Sequence, residues 1–158
     1  MPKQGDQFRI RRATLSDLNS LVDQRRKMWE DLGHGERSIM DAGDRKYRVW
    51  ARDRLRNGTF LGWVAENVKG RIVGGGCLWL APVQPRPWLK KRRQPYLLSM
   101  YTDPSFRGKG VALRIVEEAV KWSRANGYSW VSLHASEFGR GIYRRLGFKR
   151  MWEMRLDL

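Results

Sequence analysis

A strand, a basic glycine-containing turn and a helix follow one another in the middle of the sequence, and this succession restricts the fold more than any other feature. Residues 96–102 (YLLSMYT) are apolar and aromatic enough to predict a buried strand. Pro104 ends that strand, because proline has no amide hydrogen for a sheet and restricts the residue before it. From Val111 onward, apolar residues recur at the spacing of one helix face, and Gly127 would end that helix. We therefore predict a strand, a tight turn at residues 107–110 (RGKG) and a helix.

The predicted turn has the residues of an anion-binding site. The first turn of a helix leaves backbone N–H groups without partners, and the helix dipole adds partial positive charge there. Gly108 and Gly110 let a ligand approach the backbone, while Arg107 and Lys109 add charges suited to a phosphate. A surface turn whose glycines serve only the backbone geometry is the alternative. The turn is not a P-loop, and Leu113 stands where a dinucleotide-binding turn needs its third glycine.

Two segments resemble the motifs of one known family. Residues 107–112 (RGKGVA) contain R-x-x-G-x-A, which resembles the acyl-CoA signature of the GCN5-related N-acetyltransferases (GNATs). Further along, residues 142–148 (IYRRLGF) are similar to the family's segment that carries a tyrosine and ends in Leu-Gly-Phe. Because the two matches come in the expected order with a strand between them, the chain is identified as a member of this family, as a single domain over residues 1–158.

The resemblance implies an α/β fold with a mixed, mostly antiparallel twisted sheet, helices on both faces and a splayed parallel pair of central strands. The remaining sequence patterns predict the order β, α, α, β, β, β, α, β, α, β. The further predicted segments are strands at 8–13, 60–67, 71–80, 129–135 and 151–158, and helices near 18–32, 38–57 and 137–146. Three glycines at 74–76 fall inside one strand, where they predict a bulge or a close contact with a large neighbour.

The resemblance also implies where the cosubstrate, acetyl-CoA, would bind. The strands at 96–102 and 129–135 splay apart, and the pantetheine arm hydrogen-bonds the exposed backbone of the first, while the pyrophosphate binds the amides at the helix start. The expected cofactor-binding residues are Met100, Tyr101, Thr102, Arg107, Gly108, Lys109, Gly110, Val111, Ala112, Leu113 and Ser136. Ser136 stands where many relatives carry asparagine, so it could make only part of that contact. A backbone N–H near Met100 would polarise the thioester carbonyl.

Tyr143 occupies the position of the family's general acid, which would protonate the departing thiolate. The alternative for Tyr143 is a purely packing role. Many relatives place a glutamate on one of the splayed strands as general base, but residues 96–100 and 129–133 contain no carboxylate. His134 is a possible base, although a strand histidine more often has a structural role. The other candidate bases are Glu30, Glu36, Asp41, Glu137 and a chain of waters.

The chain is strongly basic, with 32 basic and 16 acidic residues and a net charge of +16 at pH 7. Such a field steers polyanions toward the protein. Acyl-CoA, nucleic acid and an acidic protein would each explain the charge, and so would a basic proteome background. Residues 82–93 contain three prolines and five basic residues, which predicts an exposed loop. That loop is either solvated, a rim over the acceptor site or a nucleic-acid contact.

The sequence indicates a cytoplasmic protein that does not enter a membrane. No apolar run of 18 residues is present, and residues 1–6 lack an apolar segment of the kind a secretory signal contains. The single cysteine, Cys77, excludes an internal disulfide and fits a reducing compartment. With two histidines and one cysteine far apart, no metal site is expected.

We therefore predict an acetyl-CoA-dependent N-acetyltransferase that moves acetyl directly to an amine in a ternary complex. The acceptor is expected to be a primary amine of a small molecule. A peptide N-terminus or a protein lysine is the alternative, and a basic nucleic-acid-binding module without catalysis is a third hypothesis. A homodimer is possible, because members of the family often pair through their C-terminal strands.

Overall fold

The structure is a computed structural model that describes residues 7–158, so the predictions for residues 1–6 lie outside it. Its elements are β1 Phe8–Arg12, α1 Leu18–Asp31, α2 Arg37–Asn57, β2 Phe60–Asn67, β3 Ile72–Pro82, β4 Arg93–Thr102, α3 Val111–Ala125, β5 Ser132–Leu133 and α4 Arg140–Arg145. The strands form one five-stranded sheet in the order β1-β2-β3-β4-β5. Strands β1 to β4 pair antiparallel, and β4 pairs parallel with β5. The predicted mixed, mostly antiparallel sheet is confirmed.

Helices cover both faces of the sheet because the side chains of its strands alternate between two cores. On one face Trp63 of β2 packs in a cluster with Ile115 of α3. On the other face Val64 packs with Leu21 of α1 and Tyr47 of α2. We refer to these below as the α3 face and the α1/α2 face of the sheet. Alternate side chains of each strand point to opposite faces of the sheet, and each helix turns its apolar face toward the sheet. Apolar residues are therefore buried on both sides of it.

A β-bulge in β4 breaks the regular ladder in the middle of the sheet. Ser99 and Met100 of β4 together oppose Gly76 of β3, with regular pairing on either side. Ser99 has a φ of +55°, in the left-handed region that a residue with a side chain seldom adopts. The bulge bends β4 at this point, as an extra residue in one strand does.

The glycines of β3 meet close neighbours, as the sequence predicted for this triplet. A Cβ atom on Gly74 would lie 2.7 Å from Cγ1 of Val111, the first residue of α3. A Cβ atom on Gly75 would collide with the side-chain oxygen of Gln24, which extends from α1. Both helices therefore approach β3 more closely than any larger residue would allow.

The predicted strand at 129–135 is wrong in its length. Only two residue pairs join β4 to β5, Tyr96 with Ser132 and Leu97 with Leu133. Because β4 continues to Thr102 beyond the bulge, its last five residues have no neighbouring strand on the β5 side among the described residues. The expected splay of the parallel pair is thus present, and it begins one residue before the bulge.

The predicted last strand at 151–158 is also wrong. Residues 146–158, which follow α4, contain no helix or strand. The side chains of 151–158 are exposed, and no described strand offers them hydrogen bonds. The alternating sequence suits a strand, but alternation alone cannot supply a pairing partner. We call residues 151–158 the C-terminal segment.

None of the helices within residues 7–158 has both the length and the apolar composition needed to span a membrane.

We expect Gly74→Ala to lower the free energy of unfolding by about 1–3 kcal/mol, because the new methyl group overpacks the contact with Val111. Gly43 in α2 provides the control, since no heavy atom lies within 4 Å of a Cβ atom there. Gly43→Ala should raise stability by about 0.5–1 kcal/mol, because alanine favours a helix over glycine. Urea unfolding followed by circular dichroism measures both changes. An unchanged midpoint for Gly74→Ala would show that α3 moves aside freely.

Candidate active site

The turn before α3 presents a run of unpaired backbone amides. Gly108 and Gly110 have φ values of +74° and +83°, which turn the chain tightly into the helix. The first hydrogen bond of the helix is donated by the Arg114 N–H to the Gly110 carbonyl at 3.1 Å. In the described part of the chain, no hydrogen bond is donated by the amides of residues 108–113 to a protein acceptor outside the helix. No heavy atom lies within 4 Å of a Cβ atom on either glycine, so an anion can approach.

The two basic side chains of the turn are held by protein groups. One guanidinium nitrogen of Arg107 lies 2.6 Å from a carboxylate oxygen of Asp31, the last residue of α1, and Nε donates to the Thr102 carbonyl at 2.9 Å. Nζ of Lys109 lies 4.9 Å from the ring centre of Phe106. Arg107 therefore ties α1 to the turn, and contact with a phosphate would require it to leave Asp31. The phosphate contact expected for Arg107 stays a prediction.

Met100, Tyr101 and Thr102 lie at the edge of β4 that has no neighbouring strand. Tyr101 and Thr102 pair with β3 on one side, and on the other side they face the space opened by the splay. An extended chain fits here as a substitute strand, because β4 offers free backbone groups along one edge. The free edge ends at Thr102, and residues 103–110 separate it from the start of α3, so the edge and the unpaired amides follow one another along the chain. The cofactor contacts expected of these residues and of Ser136 stay predictions.

Tyr143 extends from α4 against the core on the α3 face of the sheet. Its ring is half-buried, packs against the core of that face and meets Phe148 edge-on at 5.7 Å between ring centres. Burial raises the pKa of the Tyr143 phenol, so it keeps its proton at neutral pH. Ser136 lies in the turn before α4, where its Oγ accepts a hydrogen bond of 3.2 Å from the Gly139 N–H. Tyr143 thus keeps the proton that a general acid needs, and its catalytic role stays a prediction, while Ser136 is partly occupied by the protein itself.

His134 lies just beyond the last pair between β4 and β5. Its Nδ1 contacts the hydroxyl of Tyr96, and its Nε2 lies 3.6 Å from a carboxylate oxygen of Glu153 in the C-terminal segment. Tyr96 pairs with Trp79, which packs with the core of the α1/α2 face. The hydroxyl and the imidazole are therefore on the face opposite to Tyr143.

Sequence reasoning missed Tyr96 and Glu153 as neighbours of His134. Alternation along β4 predicts which face Tyr96 occupies, but the contact depends on the register with β5, and that register is not visible in the sequence.

The other candidate bases are engaged elsewhere or lie on the surface. Glu30 and Asp41 both bind Arg26, at 3.1 and 2.5 Å. Glu36 accepts a hydrogen bond from the Ser38 hydroxyl. These contacts fix the start of α2 against α1 and leave no free carboxylate among the three. Glu137 is exposed.

Two buried polar atoms on the α1/α2 face lack a hydrogen-bond partner. They are Oε1 of Gln24, which lies against Gly75 beside the bulge, and the hydroxyl of Tyr47. An unpaired buried polar atom is costly, and it usually marks a place for water or a ligand. Residues 7–158 contain no group of three His, Cys, Asp or Glu side chains that could hold a metal ion.

The chain matches one protein-family model over residues 20–148, that of the acetyltransferase (GNAT) family. It is 34% identical to glucosamine 6-phosphate N-acetyltransferase from Trypanosoma brucei brucei over 106 residues, which are 66% of this chain and 70% of that protein. Three further curated relatives, which are 27–33% identical, are longer proteins, and the match spans 42–45% of their length.

Two solved structures share the fold along nearly the whole chain. A GCN5-related N-acetyltransferase from Ralstonia eutropha is 27% identical with a TM-score of 0.85, covering 96% of this chain and 98% of that one. An acetyltransferase from Clostridium acetobutylicum, whose crystal structure contains acetyl-CoA, is 26% identical with a TM-score of 0.84, covering 96% and 95%. Since the family model also covers most of the sequence, this chain belongs to the GNAT family of acetyltransferases.

Proposed function

We propose that this chain transfers acetyl from acetyl-CoA to the primary amine of a small molecule, directly in a ternary complex. The observation that carries the proposal is the run of amides at residues 108–113 beside the free edge of β4. A pyrophosphate fits the amides because they are unpaired and the helix dipole favours negative charge. The pantetheine arm fits the free edge at Met100–Thr102. When bound, acetyl-CoA supplies an activated acetyl group.

Tyr143 is the proposed general acid. Burial raises the pKa of its phenol, so that it remains protonated, and the ring lies on the α3 face of the sheet. It would give its proton to the departing sulfur, because a thiol with a pKa of about 8.5 leaves more readily when protonated. The proposed base, His134, approaches from the other face of the sheet. An amine attacks the carbonyl carbon out of the plane in which the sulfur lies, so a base and an acid on different faces can each reach their own atom.

The residues around the start of β4 favour a small acceptor molecule. If the pyrophosphate binds near Thr102 and the arm follows β4 backwards, the acetyl group lies toward the start of β4. The basic loop before β4 is at that end, where Arg86 stacks on Trp130 at 5.7 Å and Lys91 on Tyr128 at 4.5 Å. This placement supports the hypothesis that residues 82–93 form a rim over an acceptor pocket.

Two further points support a small anionic amine. On the α1/α2 face, the buried Oε1 of Gln24 lacks a hydrogen-bond donor. The N–H of an amine substrate could donate to it. One relative is named as an acetyltransferase of glucosamine 6-phosphate, a small amine with a phosphate. The net charge of +16 would attract such an acceptor. A peptide or protein amine is the alternative, and it would need an open groove at the same place.

We also propose a homodimer formed through the C-terminal segment, in a reducing cytoplasm where the buried Cys77 stays a free thiol. Trp152, Met154 and Leu156 alternate with charged residues and are 91%, 93% and 83% exposed. Apolar side chains on every second residue suit a strand with one buried face. A second copy offers the same segment and the open edge of β5.

The function is tested first by titrating acetyl-CoA into the protein in a calorimeter at about 0.3 M salt, where the Debye length of roughly 5–6 Å suppresses general attraction to polyanions. We expect one-to-one binding that tripolyphosphate and duplex DNA barely disturb. Gly110→Val should weaken it at least tenfold, because Gly110 has a φ of +83° that valine avoids. Gly43→Val is the control at a glycine remote from the turn.

Release of CoA is then measured with small amines, amino-sugar phosphates and peptides. Turnover with small amines would support the proposal, whereas turnover with peptides alone would favour a protein substrate. Equal displacement of acetyl-CoA by any polyanion, with steeply salt-dependent DNA binding, would favour the nucleic-acid-binding hypothesis.

Tyr143→Phe should leave acetyl-CoA affinity unchanged and lower turnover by about 10²-fold, the scale of general acid catalysis. The loss should shrink as the pH rises past the thiol pKa of about 8.5, because the thiolate then departs without a proton. Turnover is followed as CoA release between pH 6 and 10. Thr59→Val, which removes a hydroxyl that donates to Asn57 in the turn after α2, serves as control. Equal turnover of Tyr143→Phe and the unaltered protein would remove Tyr143 from the mechanism.

The dimer is tested by light scattering coupled to size-exclusion chromatography. We expect the mass of two chains for the unaltered protein and of one chain for the double variant Trp152→Asp, Leu156→Asp, because a charge on the apolar face opposes burial. Arg155→Gln, on the charged side of the same segment, should keep the dimer. A monomeric unaltered protein would refute the proposal.

A further inference from the structure

Three side chains from three parts of the chain lie in a line beside the paired residues of β4 and β5. Tyr96 comes from β4, His134 follows β5, and Glu153 lies in the C-terminal segment. The Tyr96 hydroxyl contacts Nδ1 of His134, and Nε2 of the same ring lies 3.6 Å from Oε1 of Glu153. Nδ1 of His134 is therefore occupied by Tyr96, so that an amine on this side meets the phenol first, while Nε2 faces the Glu153 carboxylate at ion-pair distance.

We propose, on the basis of the function proposed above, that Tyr96 accepts the proton of the acceptor amine and passes its own proton to His134. The phenolic oxygen is the free end of the line, since it donates to Nδ1 and keeps lone pairs for a further donor. His134 then carries its hydrogen on Nε2, directed at the Glu153 carboxylate, which stabilises the imidazolium that forms. Tyr96 is thus the residue in contact with substrate, while His134 and Glu153 act through it.

The position of Tyr96 in the sheet places it where an amine would approach. Tyr96 pairs with Ser132 on β5 and with Trp79 on β3, and the ring of Trp79 lies 5.8 Å from that of Trp50 in α2. The hydroxyl therefore belongs to the α1/α2 face, the face of the unpaired Gln24 oxygen. Because β4 and β5 separate just after this point, Tyr96 stands at the closed end of the opening.

The protons balance without any further reactant. The ammonium form of the acceptor gives one proton to the oxygen of Tyr96, and the phenol proton moves to Nδ1 of His134. His134 is largely exposed, with 71% of its side chain accessible, so the proton then leaves to water. The neutral amine forms the C–N bond as the C–S bond breaks, and Tyr143 gives its proton to sulfur. After the C–N bond has formed, the nitrogen loses one of its two remaining protons to water, and a proton from water restores the Tyr143 phenol.

The charged and titratable groups around the line are few. His134 is faced by Tyr96 from β4 and by Glu153 from the C-terminal segment. Burial, and then the charge of Glu153, raise the pKa of Tyr96, so that its phenol stays protonated and can donate to the imidazole. We therefore assign the pH dependence of the proposed proton transfer to Tyr96, His134 and Glu153 together.

The test compares Tyr96→Phe, His134→Gln and Glu153→Gln with the unaltered protein, and Thr59→Val, which removes a hydroxyl that donates to Asn57 in the turn after α2, is the control. Acetyl-CoA affinity, measured by calorimetry, should be the same in all of them. We expect Tyr96→Phe to lower kcat/KM for the amine by about 10²-fold, the scale of a general base, and to remove the acid limb of its pH profile. Combining Tyr96→Phe with His134→Gln should cost no more than one change alone, because both break the same line. Glu153→Gln should shift the acid limb of the pH profile and lower kcat/KM for the amine by a smaller factor than Tyr96→Phe does.

A merely structural role of Tyr96 is distinguished by the acceptor used. With an amine whose own pKa lies well below the assay pH, no proton needs removal before attack, and the loss in Tyr96→Phe should nearly vanish. An equal loss with weakly and strongly basic amines, an unchanged pH profile, or additive effects in the double variant would each overturn the proposal. Turnover of the unaltered protein is measured first. An inactive protein overturns the function and the line together, whereas an active protein with an unaffected Tyr96→Phe overturns the line alone.

Discussion

The bulge in β4 is the constraint on which the rest of the site depends. Two residues, Ser99 and Met100, oppose the single residue Gly76, and this extra residue bends β4 where its pairing with β5 has just ended. Without that bend, the parallel pair would continue, and the edge at Met100–Thr102 would be covered by a neighbouring strand. The glycines of β3 allow α1 and α3 to close on the bent region. The backbone geometry of one residue, Ser99, therefore opens the space that the amides before α3 then face.

The features that local chemistry determines could be predicted from the sequence. The strand at 60–67 and the turn and helix from residue 107 onward were predicted almost as they stand, since alternation, proline, glycine and helical spacing act over a few residues. The glycine triplet correctly indicated irregular geometry. It could not show that the extra residue lies in the neighbouring strand, because that depends on the register between two strands.

What the sequence could not predict depends on residues far apart along the chain. The shortness of β5 follows from the bend in β4, and the alternation at residues 129–135 holds no information about it. The contact between Tyr96 and His134 joins residues 38 apart across a parallel pair, and Glu153 adds a third position after α4. The engagement of Arg107 by Asp31 spans 76 residues. The motif marked Arg107 as a phosphate ligand, but only the fold reveals its competing partner.

The ion pair between Arg107 and Asp31 would couple the binding of the two substrates if Arg107 contacts the cosubstrate as proposed. Both side chains are about half exposed, so the pair contributes roughly 0–1 kcal/mol and is easily exchanged. A polyanion that binds Arg107 would displace Asp31, the last residue of α1. The end of α1, which covers the face proposed for the amine, would then lose this contact. Because coupling between two ligands is reciprocal, an acceptor that favours the released helix would strengthen donor binding by the same factor. One exchangeable ion pair at the surface would then make each substrate a weak effector of the other, without fixing the order in which they bind.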